Sequence, residues 1–463
     1  MSEQHTLKSI FVGQLFGRFD YQIDFASEQR MRSGITIITA PNGYGKSTVL
    51  RLIDDLVRGS YYRLSRTTFQ QLMLQSSGEL SVLVERGIDA SEGVSQNVSL
   101  TFSLVQGKRQ NKTGEPWSIT VQPPENGEMD DEVGSPRHSY MSIERMAERE
   151  FGLRRVGVRE WRDPSDGRSY SREDLMQLFD EHRSGSLRMR RAEPHWLTAF
   201  RSSLSVLYIS ANRLRVDLES QPHRRSRGGE MVEVISDRVL DQIRSFNQTY
   251  AETGRRLEKD FPSRVIAALG PGQQVDESKV AQLVEQVGIK ELNYQNLGLL
   301  SEGQTARVIQ YPKDPSALIV LHMYLQDIDK KLAALEGPAN RLKLFVETLN
   351  SMLMFKKLVL LPDAGFKVVG DDGKTIPLRA LSSGEQHLIV LLGELIFEST
   401  EYGAVLLDEP EISFHPEWQE AFPAILGKIV AINRCMVVIA THSPTLIQDN
   451  WESVIELADQ VQR

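Results

Sequence analysis

The 463-residue sequence has almost no cysteine and no long hydrophobic run. Its single cysteine, Cys435, excludes a disulfide framework and a cysteine-based zinc site within one chain. No apolar run approaches the roughly 20 residues that a membrane-spanning helix needs. Charged residues also interrupt the N-terminal hydrophobic pattern, which argues against a signal peptide. We therefore expect a soluble, cytoplasmic protein that does not interact with a membrane.

Lysine is absent from residues 151–230, and arginine is abundant there. The segment contains 16 arginines and 11 acidic residues, whereas the whole chain has a formal net charge of −8. The overall charge argues against a surface that coats nucleic acid throughout but allows a local basic face. The arginines form either a solvated, ion-paired surface or a surface for phosphates or an acidic protein. The candidates for such a surface are Arg154, Arg155, Arg188, Arg190, Arg191, Arg224, Arg225 and Arg227.

The chain also lacks internal repeats, and it lacks heptads sustained over many turns, which excludes a long coiled-coil arm. Residues 1–135 and 356–463 show strand and helix patterns punctuated by glycine. We predict an α/β fold in which these two ends form one head, a mixed-sheet core with an antiparallel β-subdomain. Residues 136–355 are predicted to be a mainly helical insertion for oligomerisation, partner binding or sensing. Its helices are expected at 141–151, 172–182, 232–258, 277–288, 316–335 and 339–355.

A glycine-containing loop lies between a predicted buried strand at 34–39 and a predicted helix at 47–58. Residues 40–48 read APNGYGKST and fit the phosphate-loop pattern G-x-x-x-x-G-K-[ST], except that Ala40 occupies the first glycine position. Free N–H groups at the start of the helix favour an anion there. The alternative, a turn that contains glycine and lysine by chance, is disfavoured because the flanking strand and helix are both present. The segment therefore predicts a nucleotide-phosphate site.

The residues of this loop have separate predicted roles. The backbone N–H groups of Gly43, Gly45 and Lys46 would point at the β-phosphate. The Lys46 ammonium would bridge the β- and γ-phosphates, which makes it a candidate catalytic residue. Ser47 would place its hydroxyl on Mg²⁺, and Thr48 would reach the α-phosphate. The loop residues predicted to contact the nucleotide are Asn42, Gly43, Gly45, Lys46, Ser47 and Thr48.

A second set of polar residues follows two other apolar strands. Asp408 and Glu409 come directly after residues 404–407, and His442 comes soon after residues 436–440. Adjacent carboxylates at the end of a buried strand suit a cation or a reaction, because burying them otherwise costs free energy. We predict that Asp408 holds Mg²⁺ through water and that Glu409 orients or deprotonates an attacking water. His442 is predicted to contact the γ-phosphate, since ligands bind at the carboxyl ends of strands in α/β sheets.

Residues 381–386 read LSSGEQ and open a predicted helix at 384–397. Serine and glycine at a helix start leave N–H groups for a second anion, while the phosphate loop already provides a site for the first. The alternative is an ordinary serine N-cap with Glu385 in the first turn. For this hexapeptide alone both interpretations stay open.

Several segments of the sequence resemble the ABC-type ATPase heads of the RecF, SMC and OLD group. In that group two heads hold two ATP molecules between them, and each signature segment contacts the γ-phosphate held by the other head. The resemblance implies ATP and Mg²⁺ as cofactors, ATP hydrolysis as the activity, and a dimer or a higher homo-oligomer. It assigns Ser383, Gly384 and Glu385 to the ATP of the partner head. The segments that carry the resemblance are residues 40–48, 381–386, 405–409, 411–416 and 441–444.

The same resemblance assigns two further loops. Residues 411–416 resemble the D-loop, which crosses the interface between heads, although Phe414 stands where leucine is more usual. A glutamine after the first helix is expected to be the Q-loop residue. Gln70 and Gln71 are equal candidates for it.

Residues 208–213 and 261–264 are similar to segments of the ATPase subunits of the PARIS and Septu phage-defence systems, which work with a separate Toprim or HNH nuclease. Only 21 residues follow His442, so we expect no nuclease activity in this chain. The implied partners are a second copy of the chain, an effector nuclease and a phage-encoded trigger protein. Considered alone, Tyr208 is interpreted as a core residue rather than a base-stacking one.

The alternative function is a RecF-like DNA-repair ATPase whose heads close around duplex DNA. Its footprint would be the arginines of residues 151–230, and its affinity would fall steeply with salt. A transporter motor is disfavoured, because no membrane segment is present and the insertion is larger than such a head needs.

Overall fold

The computed structural model of the protein combines a parallel sheet, a large antiparallel sheet and a layer of helices. The structure describes residues 5–78, 80–89, 97–106, 111–121, 154–155, 160–162, 169–171, 187–189, 193–211, 231–270, 275–300, 312–399, 403–447 and 451–461. The helices are α1 Glu28–Ser33, α2 Lys46–Arg58, α3 Tyr61–Arg66, α4 His195–Ser203, α5 Met231–Ala268, α6 Glu277–Asn296, α7 Pro315–Ala333, α8 Glu336–Met352, α9 Ser383–Gly393, α10 Pro416–Asn433 and α11 Pro444–Ile447.

In the part of the chain that the structure describes, the strands form four hydrogen-bonded sheets. A parallel sheet has the order β12-β16-β17-β3-β18, and an antiparallel sheet has the order β11-β7-β6-β5-β4-β1-β2. The two small sheets have the orders β10-β9-β8 and β13-β14-β15. The strands are β1 Leu7–Leu15, β2 Phe19–Asp24, β3 Ile35–Thr39, β4 Gln71–Ser76, β5 Leu80–Asp89, β6 Asn97–Gln106, β7 Asn111–Val121, β8 Arg154–Arg155, β9 Glu160–Arg162, β10 Ser169–Ser171, β11 Leu187–Met189, β12 Val206–Ile209, β13 Lys356–Leu361, β14 Gly365–Gly370, β15 Thr375–Ile376, β16 Ala404–Asp408, β17 Met436–Thr441 and β18 Val454–Glu456.

The parallel sheet is buried on both faces, which explains its nearly continuous apolar strands. Leu407 and Ile439 belong to a core shared with α5 and with helices α8 to α10, whereas Leu406 and Val438 belong to a core shared with α2 and the antiparallel sheet. Successive strand residues point to opposite faces, so each strand contributes to both cores. The predicted mixed α/β class with an antiparallel subdomain is confirmed.

The helical layer confirms four of the predicted helices and lengthens two of them. The helix predicted at 232–258 extends to Ala268 through Pro262, and the one predicted at 277–288 extends to Asn296. Proline removes one N–H and blocks a helical hydrogen bond. Contacts of Arg264 hold the chain in place beyond the proline, because its guanidinium donates to the Leu257 carbonyl at 3.1 Å and pairs with Asp327 on α7. The helices predicted at 141–151 and 172–182 lie outside the described residues.

One strand of the parallel sheet comes from the middle of the chain. β12 pairs with β16 in parallel, with Tyr208 opposite Leu406, although its residues fall in the segment predicted to be an insertion. The division into 1–135, 136–355 and 356–463 stays a prediction, and β12 belongs with the sheet of the two ends. Within the part of the chain that the structure describes, no helix is both long and apolar enough to cross a membrane.

Helix α2 buries two adjacent carboxylates beneath the parallel sheet. Asp54 and Asp55 are 6% and 5% exposed. Arg58 pairs with Asp54 at 2.7 Å, and Arg63 lies 3.5 Å from Asp55. Burial raises the pKa of Asp55 to about 6 against the opposing effect of Arg63, and the Asp54 charge raises it further. The ionised form of Asp55 is therefore the costly one.

Replacing Asp55 with Asn should stabilise the protein above pH 6 and have little effect near pH 4. A raised carboxyl pKa means that the folded state binds the proton more tightly, so the stability it contributes is lost as pH rises through 6. The gain expected for Asp55→Asn at pH 8 is about 3 kcal/mol in the free energy of unfolding. Urea denaturation at pH 4.5 and pH 8 measures it. Asp363→Asn, an exposed carboxylate, is the control, and a larger stabilisation at the lower pH would contradict the account.

Candidate functional site

The carboxyl ends of three neighbouring parallel strands lie level with one another. Asp408 of β16 pairs with Ala440 of β17, and Thr441 pairs with Thr39 of β3. The loops that follow these strands therefore begin at one edge of the sheet, where ligands bind in α/β folds. This register brings the phosphate loop, Glu409 and His442 together.

The phosphate loop has the backbone that its glycines predict. Gly43 and Gly45 have φ values of +88° and +82°, in the left-handed region that favours glycine. A Cβ on Gly45 would also lie 2.9 Å from Leu15 Cδ2, whereas a Cβ on Gly43 would meet open space. Ala40 does not share this conformation and is buried in the core. An alanine therefore fits at the position where the pattern has its first glycine.

The start of α2 is suited to an anion. Its N-cap, Gly45, makes no side-chain capping hydrogen bond, and the first turn has no acidic residue. The N–H groups of a first turn carry partial positive charge and have no partner within the helix. The open space beside Gly43 adjoins this turn. Asn42 is exposed on the loop, and Thr48 is half-buried in the first turn.

The Lys46 ammonium is buried at the centre of the site. Lys46 is 4% exposed, and Nζ donates to the Ala40 carbonyl at 2.8 Å. Nζ also lies 2.9 Å from Nε2 and 3.0 Å from Nδ1 of His442. Burial lowers the pKa of Lys46, and the carboxylates of Glu409 and Asp408 oppose this effect. A charge placed in this way has a strong attraction for a polyanion.

Ser47 and Asp408 form the candidate magnesium site. The Ser47 hydroxyl donates to Asp408 Oδ1 at 2.6 Å, and Asp408 is 3% exposed. A hydroxyl and a carboxylate are the oxygen ligands that Mg²⁺ prefers, and this ion usually completes its shell with phosphate oxygens and water. Among the described residues, no cluster of three or more His, Cys, Asp or Glu could hold a metal. The pair therefore fits a magnesium ion that arrives with a nucleotide.

Two residues that the sequence analysis did not assign to the site also face Asp408. The Tyr208 hydroxyl donates to Asp408 Oδ2 at 3.0 Å, and Arg51 Nη2 lies 3.9 Å from the same oxygen. Burial and the Asp408 charge raise the pKa of Tyr208, so its phenol stays protonated. Tyr208 packs against the core as predicted, but its hydroxyl is part of the site. Arg51 follows Ser47 by four residues, and this spacing places both on one helix face.

Glu409 and His442 meet across the end of the sheet. Glu409 Oε1 lies 3.0 Å from His442 Nε2, and the Glu409 N–H donates to the Ala440 carbonyl at 2.8 Å. Glu409 has φ +45°, which costs a non-glycine residue about 1–3 kcal/mol. Glu411 binds the loop after β17. Its Oε1 accepts from the Thr441 hydroxyl at 2.5 Å and from the His442 N–H at 3.1 Å. The carboxylate of Glu411 thus fixes the loop that carries the histidine.

The LSSGEQ segment forms a capping box at the start of α9. The Ser382 hydroxyl accepts from the Glu385 N–H at 3.3 Å, and Glu385 Oε2 accepts from the Ser382 N–H at 2.9 Å. Lys356 lies 2.7 Å and 2.8 Å from the two Glu385 oxygens. Burial would raise the pKa of Glu385, but Lys356 and the Ser382 N–H together lower it. The N-cap interpretation is confirmed, and the roles of Ser383, Gly384 and Glu385 toward a partner head stay predictions.

The start of helix α9 contacts the loop that follows Glu409. A Cβ on Gly384 would lie 2.7 Å from the Ser413 carbonyl oxygen and 3.7 Å from the Trp418 ring. Ser413 itself has φ +69°. Phe414, which departs from the family pattern, is buried against Trp418 and Phe422. The start of α9 and the predicted D-loop therefore pack directly on each other.

The structure brings together five of the predicted site residues and leaves others in separate places. Gln70 lies in the loop before β4 and Gln71 begins that strand, so the Q-loop choice stays open. The side chains of the candidate arginines in residues 151–230 lie outside the described residues. The convergent set is Lys46, Ser47, Asp408, Glu409 and His442.

Residues 35–448 match the protein family described as "AAA domain, putative AbiEii toxin, Type IV TA system". The protein ea59 of Escherichia phage lambda is 33% identical over 72 residues, which are 16% of this chain. The match spans 14% of that relative's length.

Among solved structures, an SMC head domain from Pyrococcus furiosus, with an extended coiled coil and bound to the C-terminal domain of ScpA, has a TM-score of 0.35 at 12% identity. The alignment covers 98% of this chain and 93% of that one. The SMC head domain from Thermotoga maritima has a TM-score of 0.31 at 10% identity, with 97% and 94% covered.

The family match extends over most of the chain and includes the phosphate loop, the Asp408 strand and His442. The match supports the predicted recognition of an ABC-type ATPase. The chain belongs to the AAA-domain family with that description.

Proposed function

We propose that the protein binds ATP with Mg²⁺ and hydrolyses the nucleotide to ADP and phosphate. The observation that carries the proposal is the convergence of a buried ammonium, a hydroxyl–carboxylate pair and a glutamate–histidine pair at one edge of the sheet. Such a site serves phosphoryl transfer, which depends on positioning and on charge neutralisation. Bound Mg²⁺ supplies charge neutralisation at the phosphates.

The side chains of the site divide the work by their chemistry. Lys46 supplies positive charge where a transferred phosphoryl group gains negative charge. Ser47 would bind the metal through its hydroxyl, and Asp408 would hold it through water. Glu409 orients an attacking water and accepts its proton, and its strained backbone and the contact to His442 keep its carboxylate in one direction. His442 lies between Glu409 and Lys46. In that position it would contact the γ-phosphate.

The active unit is proposed to be at least a dimer of heads. Ser383, Gly384 and Glu385 would act on the ATP held by a second copy, as the family resemblance implies. The contact between Gly384 and Ser413 supports this proposal, because it couples the signature helix to the loop next to Glu409. When two heads close on each other, the start of α9 and the loop that follows Glu409 would then move together.

The biological role is proposed to be that of a nucleotide-gated ATPase subunit in an antiphage defence complex. It would sense a phage-encoded trigger protein and control a separate effector nuclease of Toprim or HNH type. The family description, which names a toxin of a toxin–antitoxin system, is compatible with control of a toxic effector. The alternative function is a RecF-like clamp. Binding of duplex DNA by the purified protein, with an affinity that falls steeply as salt rises, would favour that alternative.

Lys46→Ala should abolish ATP binding, and Glu409→Gln should retain binding but lose turnover. The first change removes the buried ammonium, whereas the second keeps the shape of the side chain and removes its basicity. Nucleotide binding and phosphate release are measured on the purified variants, and protection against phage is measured in cells. Lys290→Ala, which removes a half-buried ammonium paired with Asp329 in the helical layer, is the control. Full turnover in either site variant would contradict the ATPase, and full protection with turnover lost would contradict the defence role.

Gly45→Ala should weaken ATP binding by a factor of about 10 or more, because a left-handed φ costs a non-glycine residue about 1–3 kcal/mol and the new Cβ would meet Leu15. Ala40→Gly should change the affinity little, since Ala40 has no left-handed backbone. Gly373→Ala, with φ +77° in an open turn, is the control for strain alone. Equilibrium nucleotide titration measures all three. An undiminished affinity in Gly45→Ala would refute this assignment of the loop.

Mixing two inactive variants tests the proposed dimer. Lys46→Ala removes the phosphate-loop half of each site, and Ser383→Arg blocks the signature half. In an equal mixture half of the dimers are mixed, and each mixed dimer has one intact composite site. The mixture should therefore regain about a quarter of the wild-type ATPase rate. No recovery despite demonstrated subunit exchange would contradict sites shared between heads.

A further inference from the structure

The two oxygens of Asp408 have different surroundings. Oδ1 accepts from the Ser47 hydroxyl at 2.6 Å, on the side of the candidate magnesium site. Oδ2 faces away from it and accepts from the Tyr208 hydroxyl at 3.0 Å. Each edge of this carboxylate is therefore held by a hydroxyl from a different element, α2 on one side and β12 on the other.

The direction of the Tyr208 hydrogen bond follows from its second partner. Arg51 Nε donates to the Tyr208 oxygen at 3.3 Å. A guanidinium has no acceptor, so the phenol must use a lone pair toward Arg51 and its single proton toward Asp408. The chain Arg51 to Tyr208 to Asp408 is thus polarised in one direction, with a cation at its start and a carboxylate at its end.

The sheet register explains how Tyr208 reaches this position. Tyr208 lies opposite Leu406 in the β12–β16 ladder. Leu406 and Asp408 share a sheet face because side chains alternate along a strand. A tyrosine opposite Leu406 points to that same face, and its length carries the hydroxyl one pleat further, to Asp408. A shorter residue on β12 would not make this contact.

We propose that Tyr208 is a positioning residue for the magnesium carboxylate: its hydroxyl holds Asp408 Oδ2 and thereby keeps Oδ1 directed at Ser47 and the metal. Arg51 supports Tyr208 in this role. The inference rests on the proposed function, since it concerns how that site holds Mg²⁺. It assigns a role to β12, the strand that the middle of the chain contributes to the sheet.

Tyr208→Phe tests the role of the hydroxyl, because it keeps the ring that packs against the core. The binding of a fluorescent ATP analogue is measured in EDTA and then at increasing MgCl₂. The affinity in EDTA should equal that of the wild type. The Mg²⁺ concentration at half of the magnesium-dependent gain in affinity should rise roughly tenfold, as for loss of a hydrogen bond to a metal ligand.

Tyr294→Phe is the matched control. Its hydroxyl is also buried and donates to the Leu332 carbonyl at 3.1 Å, in the helical layer rather than beside Asp408. This variant should leave the Mg²⁺ half-point unchanged. A shift of similar size in Tyr294→Phe would mean that the effect reports general loosening, which would overturn the proposal.

The remaining outcomes distinguish failure of the positioning role of Tyr208 from failure of the proposed ATPase function. A folded Tyr208→Phe protein with the wild-type Mg²⁺ half-point overturns the positioning role and leaves the ATPase intact. A wild-type protein that binds no nucleotide with or without Mg²⁺ overturns the proposed function itself. If Tyr208→Phe does not fold, Arg51→Lys replaces it, because it keeps a positive charge near Asp408 and removes the Nε–H that donates to Tyr208; a smaller shift in the same direction is expected. An unchanged half-point in that variant counts against the proposal.

Discussion

The buried ammonium of Lys46 is the constraint on which the site depends. An isolated charge in a protein interior is costly unless it is paired and hydrogen-bonded. Here the Ala40 carbonyl and the His442 ring bind it directly, and the carboxylates of Glu409 and Asp408 oppose the effect of burial on its pKa. The residues that stabilise Lys46 are also those proposed to handle the metal and the water. The same charges therefore stabilise the buried ammonium, which attracts a polyanion to the site.

The start of helix α5 contacts helix α9, the residues just before it, and strand β14. Arg379, just before the LSSGEQ segment, pairs with Glu233 at the start of α5. Glycines permit two close approaches there: a Cβ on Gly393 would lie 2.4 Å from Ile235, and one on Gly365 would lie 2.2 Å from the Ser236 carbonyl oxygen. Because α5 runs for 38 residues and its Arg264 pairs with Asp327 on α7, one helix links the residues around α9 to the helical layer.

Local patterns were enough to predict the phosphate loop, the strand ends and most helices, because each depends on residues close together in the chain. Arg51 was within reach of the same reasoning, since it lies one helical turn from Ser47. Tyr208 was not, because its contact with Asp408 depends on the pairing of β12 with β16, about 200 residues apart. Pro262 favoured a helix end, and the pairing of Arg264 with Asp327 on α7 overrode that local preference.

The central claim is that one magnesium-dependent nucleotide site forms around Lys46 in every chain. Calorimetric titration of the purified wild-type protein with a slowly hydrolysed ATP analogue tests it most directly. The account predicts one nucleotide per chain, saturation below about 1 mM, and weaker binding when EDTA removes Mg²⁺. Absence of binding at saturating analogue, or a magnesium-independent affinity, would contradict it.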